Sequence, residues 1–416
     1  MRMILPVLLS AMSQAPAVVA PDPVKTLVER LDLEKYKATI KGLTQFGDRR
    51  QGTDRNRAAL DWIEAQLRSY GCTNTERLTY TYPSPEASDP AAAARGTGAG
   101  QRGRGRGTGE TGPAGTAAGN ETRRGREGGS SQFGGRSRTG VYQPDSPGAA
   151  PLDPRLKALN AQPTTPGERQ NVYCTKIGTT HPEDMYIVGG HMDGHGWGEA
   201  ANDDGSGTAL VMEVARIFSA PDVQTERSIR FILWNNEETG LNGAWAYVNQ
   251  RKDRQGKEDP AGSKKYPEPK WLGMIQHDMM MWDHGMPGAD GKVSPEQRRE
   301  ADVNIEFQTT STMAEASQKL AWALKAANDK YATDYPASVG PHMTNTDSTP
   351  FMNLVPAISL RENERGMQIG AGWDPNWHQP SDVFTTYTDK DFRLGLNAAQ
   401  TTLGALAQLT GTTVKK

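Results

Sequence analysis

The sequence predicts an α/β protein with a largely parallel central sheet that is covered by helices on both faces. The main observation is that, after Pro166, short apolar or β-branched runs alternate with helix-like segments. This alternation is typical of parallel sheets. The 416 residues are enough to bury one large core or two domains. The sequence contains no internal repeat.

The N-terminal region is predicted to be helical over residues 24–70. Thr53 or Asp54 can cap the start of its clearest helix, and Gly71 is expected to end that helix. Apolar and aromatic residues at helical spacing form one face: Leu60, Ile63, Leu67 and Tyr70. Residues 78–82, which are β-branched and aromatic, predict a strand.

The region after Pro166 predicts a regular series of strands and helices. The predicted strands are 171–177, 185–190, 228–234, 271–276 and 355–360. The predicted helices are 206–218, 241–248, 314–327 and 394–409. Because the strands alternate with helices, the connections are expected to cover both faces of the sheet.

A low-complexity segment interrupts this pattern. Residues 95–140 contain sixteen of the 45 glycines, nine arginines, three glutamates and one aromatic residue, Phe133. Such a composition cannot bury enough apolar area to offset the entropy of ordering, so it predicts disorder. Arg-Gly tracts can bind single-stranded RNA or other polyanions, but one aromatic residue offers little stacking surface, which favours a solvated insertion.

The N-terminus resembles a short secretory signal peptide. Met1-Arg2-Met3 precedes an apolar run at residues 4–9, and small residues at 15–17 resemble a cleavage site. No later stretch has the roughly 20 apolar residues needed to span a bilayer, so we expect a soluble, secreted or periplasmic protein. Cys72 and Cys174 are the only two cysteines, and they could pair in an oxidising compartment.

The chain therefore divides into four predicted parts. These are a signal peptide at 1–20, an N-terminal part of the main domain at 21–92, a disordered insertion at 93–167 and the main core at 168–416. The formal net charge of −2 argues against nucleic-acid or acidic-membrane binding by the whole protein. Two cysteines exclude a disulfide scaffold and a Cys-based zinc finger, so any metal site must use His, Asp and Glu.

Candidate metal ligands follow three of the predicted strands. His191 and Asp193 follow one strand, Glu237 and Glu238 follow another, and Asp278 follows a third. Two further candidates lie elsewhere, Asp203 at the start of a helix and His378 near the C-terminus. Ligands in open α/β sheets bind beyond the carboxyl ends of the strands, so these side chains are expected to converge.

Each of these residues also has an ordinary structural explanation. His191 alone suits a hydrogen-bonded structural histidine, and Asp203 with Asp204 suits a helix N-cap. Taken together, however, five or six converging carboxylates would raise each other's pKa, and divalent cations would relieve the repulsion. Imidazoles and carboxylates without thiolates suit zinc, although other first-row metals remain possible.

These segments resemble the co-catalytic di-zinc aminopeptidases. The resemblance rests on residues 190–193 (Gly-His-Met-Asp), 201–207 (Ala-Asn-Asp-Asp-Gly-Ser-Gly), 234–241 (Trp-Asn-Asn-Glu-Glu-Thr-Gly-Leu), Asp278 and His378, in that order. It covers residues 40–82 and 168–410. The family includes secreted bacterial leucyl aminopeptidases, and its relatives include plasma glutamate carboxypeptidase, glutamate carboxypeptidase II and glutaminyl cyclase. The resemblance implies the zinc-exopeptidase fold and peptide substrates.

The resemblance also implies a role for each candidate residue. Asp203 would bridge two zinc ions, and the peptide bond from Asp203 to Asp204 tends to be cis in such enzymes. The other implied ligands are His191 and Asp278 for one ion, and Glu238 and His378 for the other. Glu237 would be the general base, and Asp193 would orient His191.

The sequence departs from the family pattern, and several alternatives stay open. Asp347 is present where many members have Ser-Asp-His, but Ser348 replaces the histidine, and the Gly/Arg insertion is not a family feature. Trp377 before His378 is also seen in glutaminyl cyclases, which use one zinc. A carboxypeptidase or dipeptidase would need basic residues such as Arg361 or Arg365 to bind a substrate carboxylate. A metal-free binding module would typically lack the ligands.

Four large side chains lie near the predicted site in the sequence. They are Trp197, Met280, Trp282 and Trp373. They could line a substrate pocket, but Trp and Met at such positions are at least as often part of the core packing.

Overall fold

An eight-stranded mixed sheet forms the centre of the protein. The computed structural model describes residues 22–82, 141–282, 303–341, 345–362 and 374–415. The strands of the sheet are β1 (Glu76–Tyr82), β2 (Gly167–Lys176), β3 (His181–His191), β5 (Arg227–Trp234), β6 (Lys270–His277), β7 (Val303–Phe307), β8 (Ala337–Gly340) and β9 (Ala357–Arg361). Two short strands, β4 (Val223–Gln224) and β10 (Thr413–Val414), pair separately.

The strand order in the sheet is β1-β2-β5-β3-β6-β9-β7-β8. The four central strands, β5, β3, β6 and β9, run parallel, and so do β7 and β8. The antiparallel pairs lie toward the two sides: β1 with β2, β2 with β5, and β7 with β9. The predicted largely parallel α/β fold is therefore confirmed, with antiparallel additions on both sides.

Helices pack on both faces of this sheet. The described helices are α1 (Pro23–Val28), α2 (Leu33–Thr44), α3 (Asp54–Ser69), α4 (Pro154–Asn160), α5 (Gly205–Phe218), α6 (Asn242–Arg251), α7 (Ala314–Tyr331) and α8 (Asp389–Leu409). Three short 3₁₀ turns lie at Lys252–Arg254, Thr349–Phe351 and Phe384–Thr386. Within the described residues, no helix is both long enough and apolar enough to cross a membrane.

Successive side chains of the central strands pack into two separate apolar clusters, one on each face of the sheet. On β5, Phe231 and Leu233 belong to one apolar cluster, whereas Ile232 and Trp234 belong to a second cluster on the opposite face. Successive side chains of a strand point to opposite faces, which explains this division. The central strands can therefore be apolar along their whole length, because neither face meets water.

The N-terminal region differs in detail from the predicted helical stretch 24–70. It forms three helices, α1 to α3, because the chain turns at 29–32 and again at 45–53. Thr53 is the N-cap of α3 and accepts a hydrogen bond from the Asn56 N–H, as predicted. Gly71, with φ +98°, follows the end of α3.

The predicted insertion at 93–167 is partly ordered. Its last residues, 141–167, include helix α4, in which Asp153 caps the first turn and Leu156 is buried. The prediction of disorder is wrong for this stretch. Residues 141–167 come after the Gly/Arg-rich segment and have a different composition, with apolar and capping residues that form a helix. Residues 93–140 lie outside the described residues, as does the predicted signal peptide.

A disulfide joins Cys72, just after α3, to Cys174 on β2. The two cysteines are 102 residues apart in the chain, and their Cα atoms are 5.9 Å apart. The sequence left this pairing open. The bond connects the N-terminal helices to the central sheet across the insertion.

His277, the last residue of β6, provides a test of the buried core. Its Nδ1 lies 3.1 Å from the Gly189 carbonyl oxygen, and its Nε2 lies 2.8 Å from the Thr402 hydroxyl. Burial lowers the pKa of His277 to about 4. In the unfolded chain the pKa of His277 is about 6.5. As the pH falls, the unfolded state therefore becomes protonated at a higher pH than the folded state.

We therefore expect His277 to lower the free energy of unfolding at acidic pH. Between pH 7 and pH 5 its contribution to the free energy of unfolding should fall by about 2 kcal/mol. Urea unfolding of the wild type and of His277→Asn, both in chelator, measures this contribution as the difference between their pH slopes. Equal slopes in the two proteins would contradict the prediction.

Candidate metal centre

The candidate ligands converge at the carboxyl ends of three central strands. His191 is the last residue of β3, and Trp234 beside it is the last residue of β5. Glu237 and Glu238 follow β5, and Asp278 follows β6. The crevice expected at this edge is therefore present, and three overlapping groups of His, Asp and Glu side chains in it have the spacing to hold a metal ion.

Asp203 lies between two histidines. Its Oδ1 is 3.3 Å from Nε2 of His191, and its Oδ2 is 3.1 Å from Nε2 of His378. All three side chains are buried. One carboxylate thus presents one oxygen to each of two imidazoles that come from distant parts of the chain, an arrangement that suits a ligand shared by two ions.

Each half of the centre has its own further acid. Asp278 Oδ1 lies 3.8 Å from Nε2 of His191 on one side. Glu238 Oε2 lies 3.1 Å from Nε2 of His378 on the other. The five side chains named from the sequence as metal ligands therefore form one continuous cluster.

The backbone around Asp203 is held by buried acids. The bond from Asp203 to Asp204 is cis, as expected. Asp204 caps α5 by accepting from the Gly207 N–H, and its other oxygen accepts from the His191 N–H. Asp382 accepts from the backbone N–H groups of Asn202 and Asp203. Asp204 thus serves as the N-cap of α5, whereas the side chain of Asp203 faces the crevice.

Asp193 contacts His191 in a different way from the one predicted. The main-chain carbonyl oxygen of Asp193 lies 2.9 Å from Nδ1 of His191, whereas its carboxylate is 4.0 Å away. The carboxylate instead accepts a hydrogen bond from the Glu237 N–H. Asp193 therefore orients the imidazole through its backbone and positions the Glu237 segment through its side chain.

Glu237 faces the half of the centre that contains His191 and Asp278. Burial raises the pKa of Glu237 well above its ordinary value, and nearby Asp347 and Glu238 raise it further although His191 opposes them. Asp347 is itself buried, and burial with the same acidic surroundings raises its pKa. The surroundings of Glu237 therefore favour the protonated form of its carboxyl group.

For the pKa values of the histidines, nearby charges outweigh burial. Burial lowers the pKa of His378, but Glu238 and Asp203 outweigh burial and raise it to about 10. The same competition holds the pKa of His191 well above its ordinary value. In this cluster the acids thus need positive charge, which protons supply on the histidines and which divalent cations would supply when the imidazoles are neutral ligands.

The donor set fits a divalent metal. Imidazole nitrogens and carboxylate oxygens are ligands of zinc, and the site contains no thiol. Oε1 of Glu238 is buried and has no hydrogen-bond partner among the described residues. A cation beside Glu238 would satisfy this oxygen.

A family model matches this chain over the region that builds the centre. The matching model is that of Peptidase family M28, and the match spans residues 171–400. The chain belongs to Peptidase family M28. The match includes all five candidate ligands and excludes the N-terminal helices α1 to α3.

Individual relatives of this M28 chain resemble it over shorter stretches. Carboxypeptidase Q from Xenopus laevis is 33% identical over 82 residues, which are 20% of this chain and 18% of that protein. The chain thus matches less than a fifth of the length of this curated relative.

Solved structures resemble the M28 chain over most of its length. The aminopeptidase from Aneurinibacillus sp. strain AM-1 is 20% identical, with a TM-score of 0.56 and coverage of 92% of this chain and 95% of that one. A zinc aminopeptidase from Bacillus subtilis is 15% identical, with a TM-score of 0.57 and coverage of 93% and 96%. At these identities the likeness establishes the fold.

The structure places three further residues at the M28 centre, of which only Arg361 was named from the sequence, as a candidate to bind a substrate carboxylate. His195 Nε2 lies 2.9 Å from Glu238 Oε2. Arg361 donates to Asp278 Oδ2 at 2.5 Å and is buried. Arg49 is buried and holds the loop after β3 through the carbonyl oxygens of Met192, Glu199 and Ala200. Proximity to His191 in the chain was the only sequence signal for His195.

The large side chains proposed for a pocket divide into different environments. Met280 and Trp282 are buried in the main apolar cluster, so they pack the core. Trp197 is partly exposed, and the Arg50 guanidinium lies 5.7 Å from its ring centre. Trp373 lies outside the described residues, as does Arg365.

Proposed function

We propose that this protein is a zinc-dependent aminopeptidase that binds two ions and removes the N-terminal residue of peptides. The observation that carries the proposal is the Asp203 carboxylate, whose two oxygens each face a different histidine at 3.3 and 3.1 Å. A carboxylate that bridges two ions would present its oxygens in this way. His191 and Asp278 would complete one site, and Glu238 and His378 the other.

The bound ions would supply an acidified water nucleophile and polarise the carbonyl of the scissile peptide bond. Glu237 would accept the proton of that water and deliver it to the leaving amine. The raised pKa of Glu237 matches this shuttle, and the Asp193 side chain fixes its backbone N–H at 3.0 Å. A protonated substrate α-amino group would complement the surplus of acids around Glu237.

Two enzymatic alternatives within the family make different demands on the site. A carboxypeptidase needs a free cation for the substrate carboxylate, but Arg361 is already paired with Asp278. This pairing occupies Arg361, while the other candidate, Arg365, lies outside the described residues. Glutaminyl-cyclase-like acyl transfer has one observation in its favour, since the Trp377 ring stacks on the His378 ring at 4.0 Å.

The proposal is tested by metal content and substrate choice together. Chelated protein should be inactive and should regain activity as two zinc ions bind per chain. It should then release leucine from leucyl amides and leave the N-acetylated amide, the matched control, intact. Cyclisation of a glutaminyl peptide without amide hydrolysis would instead support the cyclase alternative. A protein that takes up no zinc would overturn both enzymatic alternatives and favour the metal-free binding module.

We also propose export from the cell. The signal-like pattern at residues 1–20 supports this, and so does the Cys72–Cys174 disulfide, because disulfides persist in oxidising compartments. N-terminal sequencing of the protein recovered outside the cytoplasm should begin after residue 17. Recovery of the full-length chain only from the cytoplasm would contradict export.

A further inference from the structure

A third histidine reaches the centre from the loop after β3. His195 Nε2 lies 2.9 Å from Glu238 Oε2 and 3.1 Å from His378 Nε2. The three atoms therefore face one another at the half of the centre formed by Glu238 and His378. His195, Glu238 and His378 are also one of the residue groups spaced to hold a metal ion.

These separations suit three ligands of one ion. Two ligand atoms that each lie about 2.0–2.1 Å from a tetrahedral zinc are about 3.3 Å apart. The distances around His378 Nε2 are 3.1 Å to Glu238, 3.1 Å to His195 and 3.1 Å to Asp203. Two neutral imidazole nitrogens that present lone pairs to each other would repel, whereas a cation between them would attract both.

Two close approaches to His378 fix the position of His195, one by the backbone of Gly196 and one by the His195 ring. Gly196, with φ +109°, allows the chain to pass so close to His378 that a Cβ there would lie 2.4 Å from the His378 carbonyl carbon. The ring of His195 meets the ring of His378 edge-on, with the centres 4.1 Å apart. The His195 side chain is 17% exposed, so it sits at the mouth of the site rather than in the core.

We propose that His195 is an additional ligand of the metal ion held by Asp203, Glu238 and His378. The inference rests on the proposed function, since it concerns one of the two metal sites. That ion would then have two imidazoles and two carboxylates from the protein, whereas the ion at His191 would have one imidazole and two carboxylates. The coordination numbers of the two ions would differ accordingly.

Removal of His195 should weaken one ion and leave the other unchanged. In His195→Gln, competition with a chelator should show at least about 10-fold weaker zinc binding at one site and wild-type binding at the second. With cobalt in place of zinc, the visible absorption should change for the weakened site alone, since ligand number sets that spectrum. His181→Gln, which replaces a half-exposed histidine at the start of β3, is the matched control.

The glutamine variant separates a ligand from a hydrogen-bond donor. A glutamine amide can still donate to Glu238 but is a poor metal ligand, whereas His195→Ala can do neither. Equal loss in both variants supports ligation. Wild-type affinity and cobalt spectrum in His195→Gln would overturn the inference and leave the two-ion proposal standing. Wild-type protein that binds no metal would overturn both. Thermal melts of the chelated variants should match chelated wild type.

Discussion

Replacement of Glu237 by Gln is expected to abolish most of the turnover while both metal ions stay bound. The glutamine amide cannot accept the proton that the attacking water must lose, so kcat should fall about 10²–10⁴-fold. Glu237 is spaced to hold a metal ion together with His191 and Asp278. The proposed arrangement, however, does not need it as a ligand. Steady-state kinetics on a leucyl amide and metal analysis of the same preparation provide the two measurements.

The control for this variant is an exposed acid remote from the centre. Within the part of the chain that the structure describes, Glu315 on α7 forms an ion pair only with Lys319, at 2.7 Å, and both side chains are largely exposed. Glu315→Gln should keep wild-type kinetics. A Glu237→Gln enzyme with wild-type kcat would remove Glu237 from the mechanism, and one that loses metal would make it a ligand.

Replacement of Asp203 by Ala is expected to empty both metal sites at once. Its two oxygens face His191 and His378, so one substitution would remove a proposed ligand from each half. Zinc affinity should fall by more than about 100-fold, beyond the 10–100-fold typical of losses behind the ligand shell. Activity should disappear with the metal. Emission spectroscopy of dialysed protein gives the zinc content per chain.

The contrast with single-site variants makes this test specific. Asp278→Ala should lose one ion and keep the ion on the Glu238 side. Asp329→Ala, at an exposed position that pairs with Lys325, should keep both. An Asp203→Ala protein that retains one ion would show that Asp203 serves a single site, which contradicts the bridging role.

Local patterns in the sequence predicted most of the fold. Strands β3, β5 and β6 lie within a few residues of their predicted positions, because apolar runs bounded by turns carry the signal of buried strands. Strands β7 and β8 and helix α4 were not predicted, because they are short and depend on neighbours distant in the chain. The division of residues 24–70 into three helices likewise depends on packing against the sheet.

The candidate site was predictable to a different degree for each residue. The acids and imidazoles at the strand ends could be named because their chemistry and their positions after apolar runs are visible in the sequence. The use of the Asp193 main-chain oxygen, and not its carboxylate, could not be predicted, because rotation of one loop decides which group faces His191. The pairing of Arg361 with Asp278 required the positions of both strand ends.

The sequence by itself determined most of the strands and helices after Pro166 and the kinds of side chain available at the strand ends, since both follow from residues close together in the chain. The tertiary structure alone decided that His195 joins His191 and His378 in the crevice. His195 contacts Glu238, whereas His277, although next to Asp278, points into the core and binds Thr402. The physical reason is that contacts with residues distant in the chain, His378 for His195 and Thr402 for His277, determine where each imidazole lies.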